Sequence, residues 1–371
     1  MSKKLAIIGA SYLQLPLVQK AKEMGIETYC FAWVDGAVCK EIADYFYPVS
    51  TLEKEKILNI CKNIKIDGIT SIASEAAVPT VCFVAENMNL VSNSYESSLI
   101  STDKYKMRQK FQEHNISSPK FALADNNVDF NDFLLPLIVK PTDRSGSRGV
   151  FKVENRDNLQ NAILRAKNES FAKQAIVEEY VSGNEVSVEA ISWKGKHYIL
   201  AITDKVTTGE PYFVELEHHQ PSQLPDNIQN MISEETIKAL DTLNVQYGAS
   251  HTEIKINDKG EMYLIEVGAR MGGDFIGSDL VKLSTGYDFV KGVIEIALGE
   301  FVEPIITEQK FSGIYFLCKE TEQLKSVIEN KNKYSEIIKA EIIDNKLHNV
   351  QQSADRSGYF IYQSNKKFNI L

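Results

Sequence analysis

Apolar and polar positions alternate along the first hundred residues in a way that predicts repeated strand–helix units. Leu5–Gly9 (LAIIG) is a short continuous apolar run and predicts a buried strand. Pro16–Met24 spaces its apolar residues for one helix face and is closed by Gly25. IETYCFA predicts the next strand, Glu53–Asn63 a helix, and GITSIAS a further strand. Repetition of this kind predicts a parallel sheet with right-handed crossovers.

After Ile100 the pattern changes. STDKYKMRQKFQEHN predicts a helix capped by Ser101 or Thr102, with Asp103 in its first turn. Strands are predicted at Leu137–Lys140, Gly149–Val153, Ala175–Glu179, Glu185–Trp193 and Lys196–Lys205, with a helix at Asp157–Ala166. The polar segment His218–Asp226, with Pro221 and Pro225, predicts a loop leading to a helix at Ile228–Leu243. Ala249–Ile256 and Met262–Val267 flank Asn257-Asp258-Lys259-Gly260, a turn with glycine where positive φ is required, and so predict a hairpin. The last seventy residues predict strands, one helix and a polar, lysine-rich end, which together make a small α+β module.

Composition narrows the function. The 371 residues suit two or three domains, and 43% hydrophobic with 25% charged residues is ordinary for a water-soluble protein. Lys and Arg total 41 against 50 Asp and Glu, a net charge of −9, which gives no electrostatic footprint for nucleic acid or an anionic membrane. Small-molecule partners are expected instead. Five cysteines (Cys30, Cys39, Cys61, Cys82 and Cys318) contain no C-x-x-C pair, which argues against a disulfide framework or thiolate zinc site and for buried thiols in a reducing cytosol. Leu5–Ala10 is too short for a signal-peptide core, and no segment approaches the roughly 20 apolar residues of a membrane helix. A cytoplasmic location is the expectation.

The candidate chemistry starts at Ile138–Val150, IVKPTDRSGSRGV. It differs from a Walker A loop, in which the lysine follows the glycines; here Lys140 precedes Ser145, Gly146, Ser147 and Gly149. In the predicted hairpin, Glu253 (HTEIK) and Glu266 (LIEVGAR) come close across the ladder in either face-consistent register. Two carboxylates in one cleft repel unless a cation lies between them, and Mg²⁺ takes such oxygen ligands while leaving positions for phosphates. Arg270 follows four residues after Glu266 and suits a transferring phosphoryl group. Gly272-Gly273 before an apolar run could cradle an anion with backbone N–H groups, or simply turn the chain. VEEYVSGNE (Val177–Glu185) ends a strand in acidic and aromatic residues of the kind that can meet an adenine edge and ribose hydroxyls. Each feature alone has a bland reading as a solvated side chain or a loop.

In this order, the set Lys104 (TDKYKMR), Lys140 (IVKP), DRSGSRGV, EEYVSGNE, Glu253 (TEIK) and Glu266 with Arg270 (IEVGAR) resembles the ATP-grasp superfamily, in particular the amino-acid and dipeptide ligases of its carbamoyl-phosphate-synthase-like group. The resemblance covers nearly the whole chain. It implies an α/β and α+β architecture: a Rossmann-like domain over 1–100, an ATP-grasp domain over 101–302 with a lid lobe at about 118–182, and a small C-terminal domain over 303–371. It implies that Lys104 and Lys140 contact ATP phosphates and that Ser145–Gly149 form a flexible lid. By the same resemblance Glu178, Glu179, Tyr180 and Val181 line the adenine, Glu185 holds the ribose, and Glu253 and Glu266 carry Mg²⁺, or Mn²⁺ in its place. Arg270 and Lys140 are the catalytic cations. One departure concerns the metal. Many relatives read E-x-N-x-R, whereas Gly268 stands where the asparagine helps hold magnesium, which leaves open one metal or two.

On the substrate side, Glu75 lies at the carboxyl end of a predicted parallel strand, where ligands bind in open sheets, though a helix N-terminus also explains it. His219, beside His218, is expected to line solvent or substrate, and His251 joins them in a metal pair only by coincidence of fold. Asp274 could receive a substrate ammonium or cap a helix. IIGASYLQLP does not match G-x-G-x-x-G, so a redox dinucleotide is not expected. The activity implied is ATP-dependent carboxylate–amine ligation through an acyl phosphate, with an amino acid as one substrate. The alternatives are a bicarbonate-using carboxylase resembling carboxyaminoimidazole ribonucleotide synthetase, and a catalytically inactive nucleotide-binding protein. A homodimer is an assembly that the sequence allows without fixing.

Overall fold

The computed structural model describes residues 2–125 and 128–370. The N-terminal apolar runs form β1 (Lys4–Ile8), β2 (Glu27–Phe31), β3 (Tyr45–Tyr47) and β4 (Gly68–Thr70), a parallel sheet in the order β3-β2-β1-β4. Its two faces are covered separately. Leu5, Ile7 and Cys30 pack with the helix Leu15–Glu23 and with Phe289–Ala297, while Ala6, Ile8 and Phe31 pack with Lys54–Ile64 and Val78–Met88. Alternate strand residues point to opposite faces, which is why adjacent residues of one apolar run enter two cores.

The helix Lys104–Glu113 begins one residue later than the expected cap. The Asp103 carboxylate accepts the Tyr105 and Lys106 N–H groups at 3.0 and 3.2 Å, so Asp103 itself is the N-cap. Ser101 instead ends a preceding helix, Tyr95–Ser101, capped by Ser94. Next comes an antiparallel sheet of β5 (Phe121–Leu123), β6 (Leu137–Pro141), β7 (Phe151–Val153) and β8 (Ala175–Glu179), in the order β5-β8-β6-β7. Leu137, Val139 and Val177 bury one face of it against the helix Leu159–Glu169.

The remaining strands form one eight-stranded sheet: β9 (Asn184–Trp193), β10 (Lys196–Thr207), β11 (Glu215–Gln220), β12 (Tyr247–Ile256), β13 (Met262–Gly268), β14 (Phe311–Leu317), β15 (Ile337–Ile342) and β16 (Gly358–Ser364). Their order is β13-β12-β9-β10-β11-β14-β16-β15, so the C-terminal strands extend the central sheet through β11. The polar run expected as a loop is loop from Pro221 to Pro225, but its first three residues, His218, His219 and Gln220, end strand β11. His218, His219 and Gln220 are buried where β10 and β14 pair on either side, and long-range pairing overrides their local polarity. The predicted hairpin is β12–β13, with Gly260 at φ +77°. Its turn is tied by the Asn257 side-chain oxygen, which accepts the Lys259 and Glu261 N–H groups.

Candidate active site

A cavity opens between the β5–β8 sheet and the central sheet, with about 1070 Å³ of space that includes its open mouth. The hairpin aims two acids into it. Glu253 and Glu266 are directly opposed in the β12–β13 register, and a bulge then makes Leu264, not Ile265, the partner of Ile254. Bulges re-aim side chains beside functional sites, and here Ile265 and Glu266 both line the cavity with Glu253.

Each acid already has a cation. Lys104, from the first turn of its helix, donates to Glu266 at 2.8 Å and to the Arg144 carbonyl at 2.6 Å. Lys205 donates to Glu253 at 2.7 Å and to Glu185 at 2.6 Å. Burial alone would lower the Lys205 pKa, but Glu185, Glu253 and Glu215 hold it well above its ordinary value. Burial would likewise raise Glu253, yet Lys205 and His251 keep it well below the usual carboxylate range. Beneath this layer Arg108 and Lys140 grip Glu178 at 2.9 and 2.7 Å, all three nearly inaccessible. Burial depresses the Lys140 pKa, with Glu178 opposing. Glu178, which burial would raise, is held low by Arg108 and Lys140. Arg108 was not singled out in the sequence. It lies one helical turn after Lys104, on the same face, and that spacing was the available signal.

The residues expected as lid and hinge lie as follows. Ser145, Gly146 and Ser147 line the cavity above Lys104 and Lys140, with Gly146 and Ser147 at φ +66° and +55°. Gly149 is not in the lining. Its φ is +73°, and a Cβ there would stand 2.9 Å from Pro141 and 3.0 Å from Glu169, so it closes the loop onto its own sheet. Glu179, Tyr180 and Val181 line the cavity with Ile138, Val150 and Phe213. The Glu179 and Tyr180 N–H groups are spent on Lys120 and Pro136 carbonyls, leaving the Val181 N–H as the hinge donor free for a ligand. Glu178 lines the cavity beside them, with its carboxylate held by Arg108 and Lys140. Glu185 is opposed across the sheet by Lys205 on one side and Lys255 on the other.

At the far end Arg270 pairs with Glu75 from the N-terminal domain. Burial lowers the Arg270 pKa to about 10, so it remains a cation at neutral pH. Gly268 has a steric role here: a Cβ would sit 3.1 Å from Glu75 and 3.4 Å from Arg270. A side chain at this position would make that pair give by a few tenths of an ångström. Behind Glu253, Glu189 is fully buried and bound to His251 Nδ1. Burial would lower His251, but Glu189 and then Glu253 raise it to about 10.

Three substrate-side expectations are corrected. His219 is buried away from the cavity between the sheets, bonded to the Tyr362 hydroxyl at 2.9 Å and Glu217 at 2.7 Å. Gly272 offers no free amide, because its N–H donates to Glu189 at 3.0 Å. Gly273 instead borders a small crevice with Tyr12 and Ala73. Asp274 is neither cap nor open ammonium site; Arg356 holds it with two bonds of 2.8 and 2.7 Å.

The donor set fits magnesium. Two carboxylates project from facing strands into a space lined by lysines, and no group of three or more His, Cys, Asp or Glu that could hold a metal occurs among the described residues. Two protein oxygens with the remaining positions left to water and phosphate is the usual pattern for Mg²⁺.

Comparison with known proteins places this geometry. The profile of the ATP-grasp domain family matches residues 133–279. The chain carries an ATP-grasp domain and has the ATP-grasp fold. It is 29% identical over 286 residues to alanine–anticapsin ligase of Bacillus subtilis, covering 67% of this chain and 60% of that protein. It is 23% identical to dapdiamide A synthase of Enterobacter agglomerans, over 65% of this chain and 59% of that one. The chain thus spans about 60% of the length of these curated relatives. Among solved structures, the L-amino acid ligase of Bacillus licheniformis superimposes with a TM-score of 0.82 at 23% identity, covering 99% of this chain and 94% of that one. Phosphoribosylglycinamide synthetase of Anaerococcus prevotii gives 0.77 at 20% identity, covering 99% and 95%.

Proposed function

We propose that this chain is an ATP-dependent carboxylate–amine ligase that forms an amide through an acyl phosphate, with an amino acid as one substrate. The observation that carries the reading is the opposition of Glu253 and Glu266 in a cavity also lined by Lys104, Lys140 and Arg270. The activities named for its relatives, alanine–anticapsin ligase and L-amino acid ligase, support it. The substrates are small molecules, and the chain acts on them in the cytoplasm. No helix among the described residues is long and apolar enough to cross a membrane.

In this reading a substrate carboxylate oxygen attacks the γ-phosphorus, the bond to the β-phosphate oxygen breaks, and ADP leaves. The amine nitrogen then attacks the acyl carbon, phosphate leaves, and the amine proton passes to solvent. The protein supplies position and charge rather than covalent chemistry. Lys104 and Lys140 meet the phosphates, and the Val181 N–H meets the base. Magnesium, held by Glu253 and Glu266, would neutralise phosphate charge. Arg270, still cationic when buried, faces the charge that develops on the transferred group. The loop Ser145–Ser147 covers the site and keeps water from the acyl phosphate.

The test is ADP release with pooled amino acids, compared with bicarbonate plus an aminoribotide, followed by mass spectrometry of the product. An amide product with amino acids is expected. Release only with bicarbonate would replace the ligase reading by a carboxylase, and no release under any condition would leave a nucleotide-binding protein. Glu266→Gln is expected to abolish ADP release, and wild-type turnover in that variant would remove the metal assignment.

A further inference from the structure

Glu189 and His251 belong to no role assigned above, yet they form a buried pair beside the hairpin acids. Glu189 on β9 is fully buried and directly opposes His251 on β12 in the strand register. Two residues along β12 stands Glu253, whose opposite residue on β9 is Ser187, so Glu253 gains no acidic or basic neighbour from that strand. One Glu189 oxygen meets His251 Nδ1. The other accepts the Gly272 N–H at 3.0 Å. The far nitrogen of the same imidazole, Nε2, lies 3.6 Å from Glu253 Oε1, within ion-pair reach though too long for a hydrogen bond.

The consequence is geometric. A carboxylate on a three-bond side chain has several rotamers, and each ordering contact removes some of that freedom. Glu253 is restrained from one side by Lys205, which is shared with Glu185 and Glu215. From the other side it is restrained by His251, whose ring plane is set by Glu189. Glu189 in turn fixes Gly272, two residues beyond Arg270. Glycine is required at that position: a Cβ on residue 272 would collide with the Glu189 carboxylate and stand 2.8 Å from His251 Nδ1. The metal carboxylate and the turn that carries Arg270 are thereby both referred to one buried carboxylate.

We propose that His251 and Glu189 are positioning residues, which hold the metal-binding Glu253 and the Arg270–Gly272 turn in a fixed mutual geometry. The proposal rests on the metal and nucleotide reading of the cavity given above. Partners that orient a metal ligand typically change metal affinity by about 10–100-fold when removed.

The test uses His251→Asn, whose amide can still reach Glu189 from the Nδ1 position but cannot extend to Glu253. Mn²⁺ binding to the full chain with saturating ADP is followed by electron paramagnetic resonance, and metal-free ADP binding by calorimetry. The expected result is an Mn²⁺ affinity about 10–100-fold weaker than wild type, with metal-free ADP binding and the thermal midpoint nearly unchanged. Unchanged Mn²⁺ affinity overturns the proposal. So does an equal loss of metal-free ADP binding, which would mean a merely structural role. If His251→Asn does not fold, Glu189→Gln carries the same test, since its amide oxygen still accepts the Gly272 N–H while its grip on His251 weakens. A wild-type chain that binds neither ADP nor Mn²⁺ fails differently, because it removes the nucleotide reading itself.

Discussion

Single side chains in this site are held by partners that local sequence does not reveal. Asp274 is an example. In the chain it reads as a loop acid after two glycines, whereas in the fold Arg356, 82 positions later, takes both of its oxygens and stacks on Phe316 at 3.7 Å. Burial would raise the Asp274 pKa, but Arg356 and then His218 hold it far below the usual carboxylate range. A depressed pKa contributes stability above the unfolded value of 3.8, and that stability is lost as pH falls below it. Asp274→Asn strands a buried guanidinium and is expected to cost about 3 kcal/mol, the low end for breaking a buried pair, because Asp274 keeps 23% of its side chain exposed. Urea denaturation at pH 7 and pH 3.5 checks both parts: the variant should be weaker at pH 7, and the gap should narrow at the lower pH. Pairing the change with Arg356→Met should recover much of the loss.

Elements divide by how local their causes are. The hairpin was legible because Asn257–Gly260 is a turn signal with apolar strands on either side, and its opposition of Glu253 and Glu266 followed from strand periodicity. The bulge at Ile265 was not legible, since one extra residue leaves no local mark. Strand β11 was misread because Glu217, His218 and His219 are polar and two prolines follow; only its neighbours β10 and β14 make it a strand. Lys104, Lys140, Arg270 and Ser145–Ser147 carry motifs in the sequence and line one cavity, while Arg108, Lys205 and Glu189 support it and carry no motif. The lid makes a prediction at this scale. Arg144 and Arg148 bracket Ser145–Ser147, with the Arg144 side chain on the Glu169 carbonyl and the Phe171 ring and its own carbonyl accepting from Lys104. Limited trypsin digestion should cut at these arginines in the free protein and slow several-fold with Mg²⁺ and a non-hydrolysable ATP analogue. Equal rates would show that the loop does not close on nucleotide.

The whole molecule is organised by one sheet that runs from the β12–β13 hairpin to the C-terminal edge. The N-terminal parallel sheet was read directly from its alternating pattern. The continuity of the central sheet was not, because β11 meets β14 across about ninety residues and no local period records such a pairing. Segment 303–371, expected as a small module, therefore supplies β11 with a neighbour and Asp274 with its cation. Removing it exposes the β11 edge and uncovers Leu280, Phe275 and Leu283, which pack with Ile314 and Phe316. A chain ending at 302 should be insoluble or lack a cooperative thermal transition, as circular dichroism would show; a cooperatively folded truncation would make the segment an appendage.

The pairing of Glu253 and Glu266 each with a lysine has a thermodynamic meaning. Under the proposed function, nucleotide arriving alone must draw Lys104 from Glu266 and leave that carboxylate facing phosphate. Metal arriving alone must displace the same lysine into a cavity with nothing anionic to receive it. Each arrival by itself leaves a charge unmatched, whereas together they exchange partners without doing so. By linkage, metal and nucleotide must then raise each other's affinity by the same factor. The resting ion pairs thus act as a logical gate that admits the two ligands as one unit and discriminates against either half.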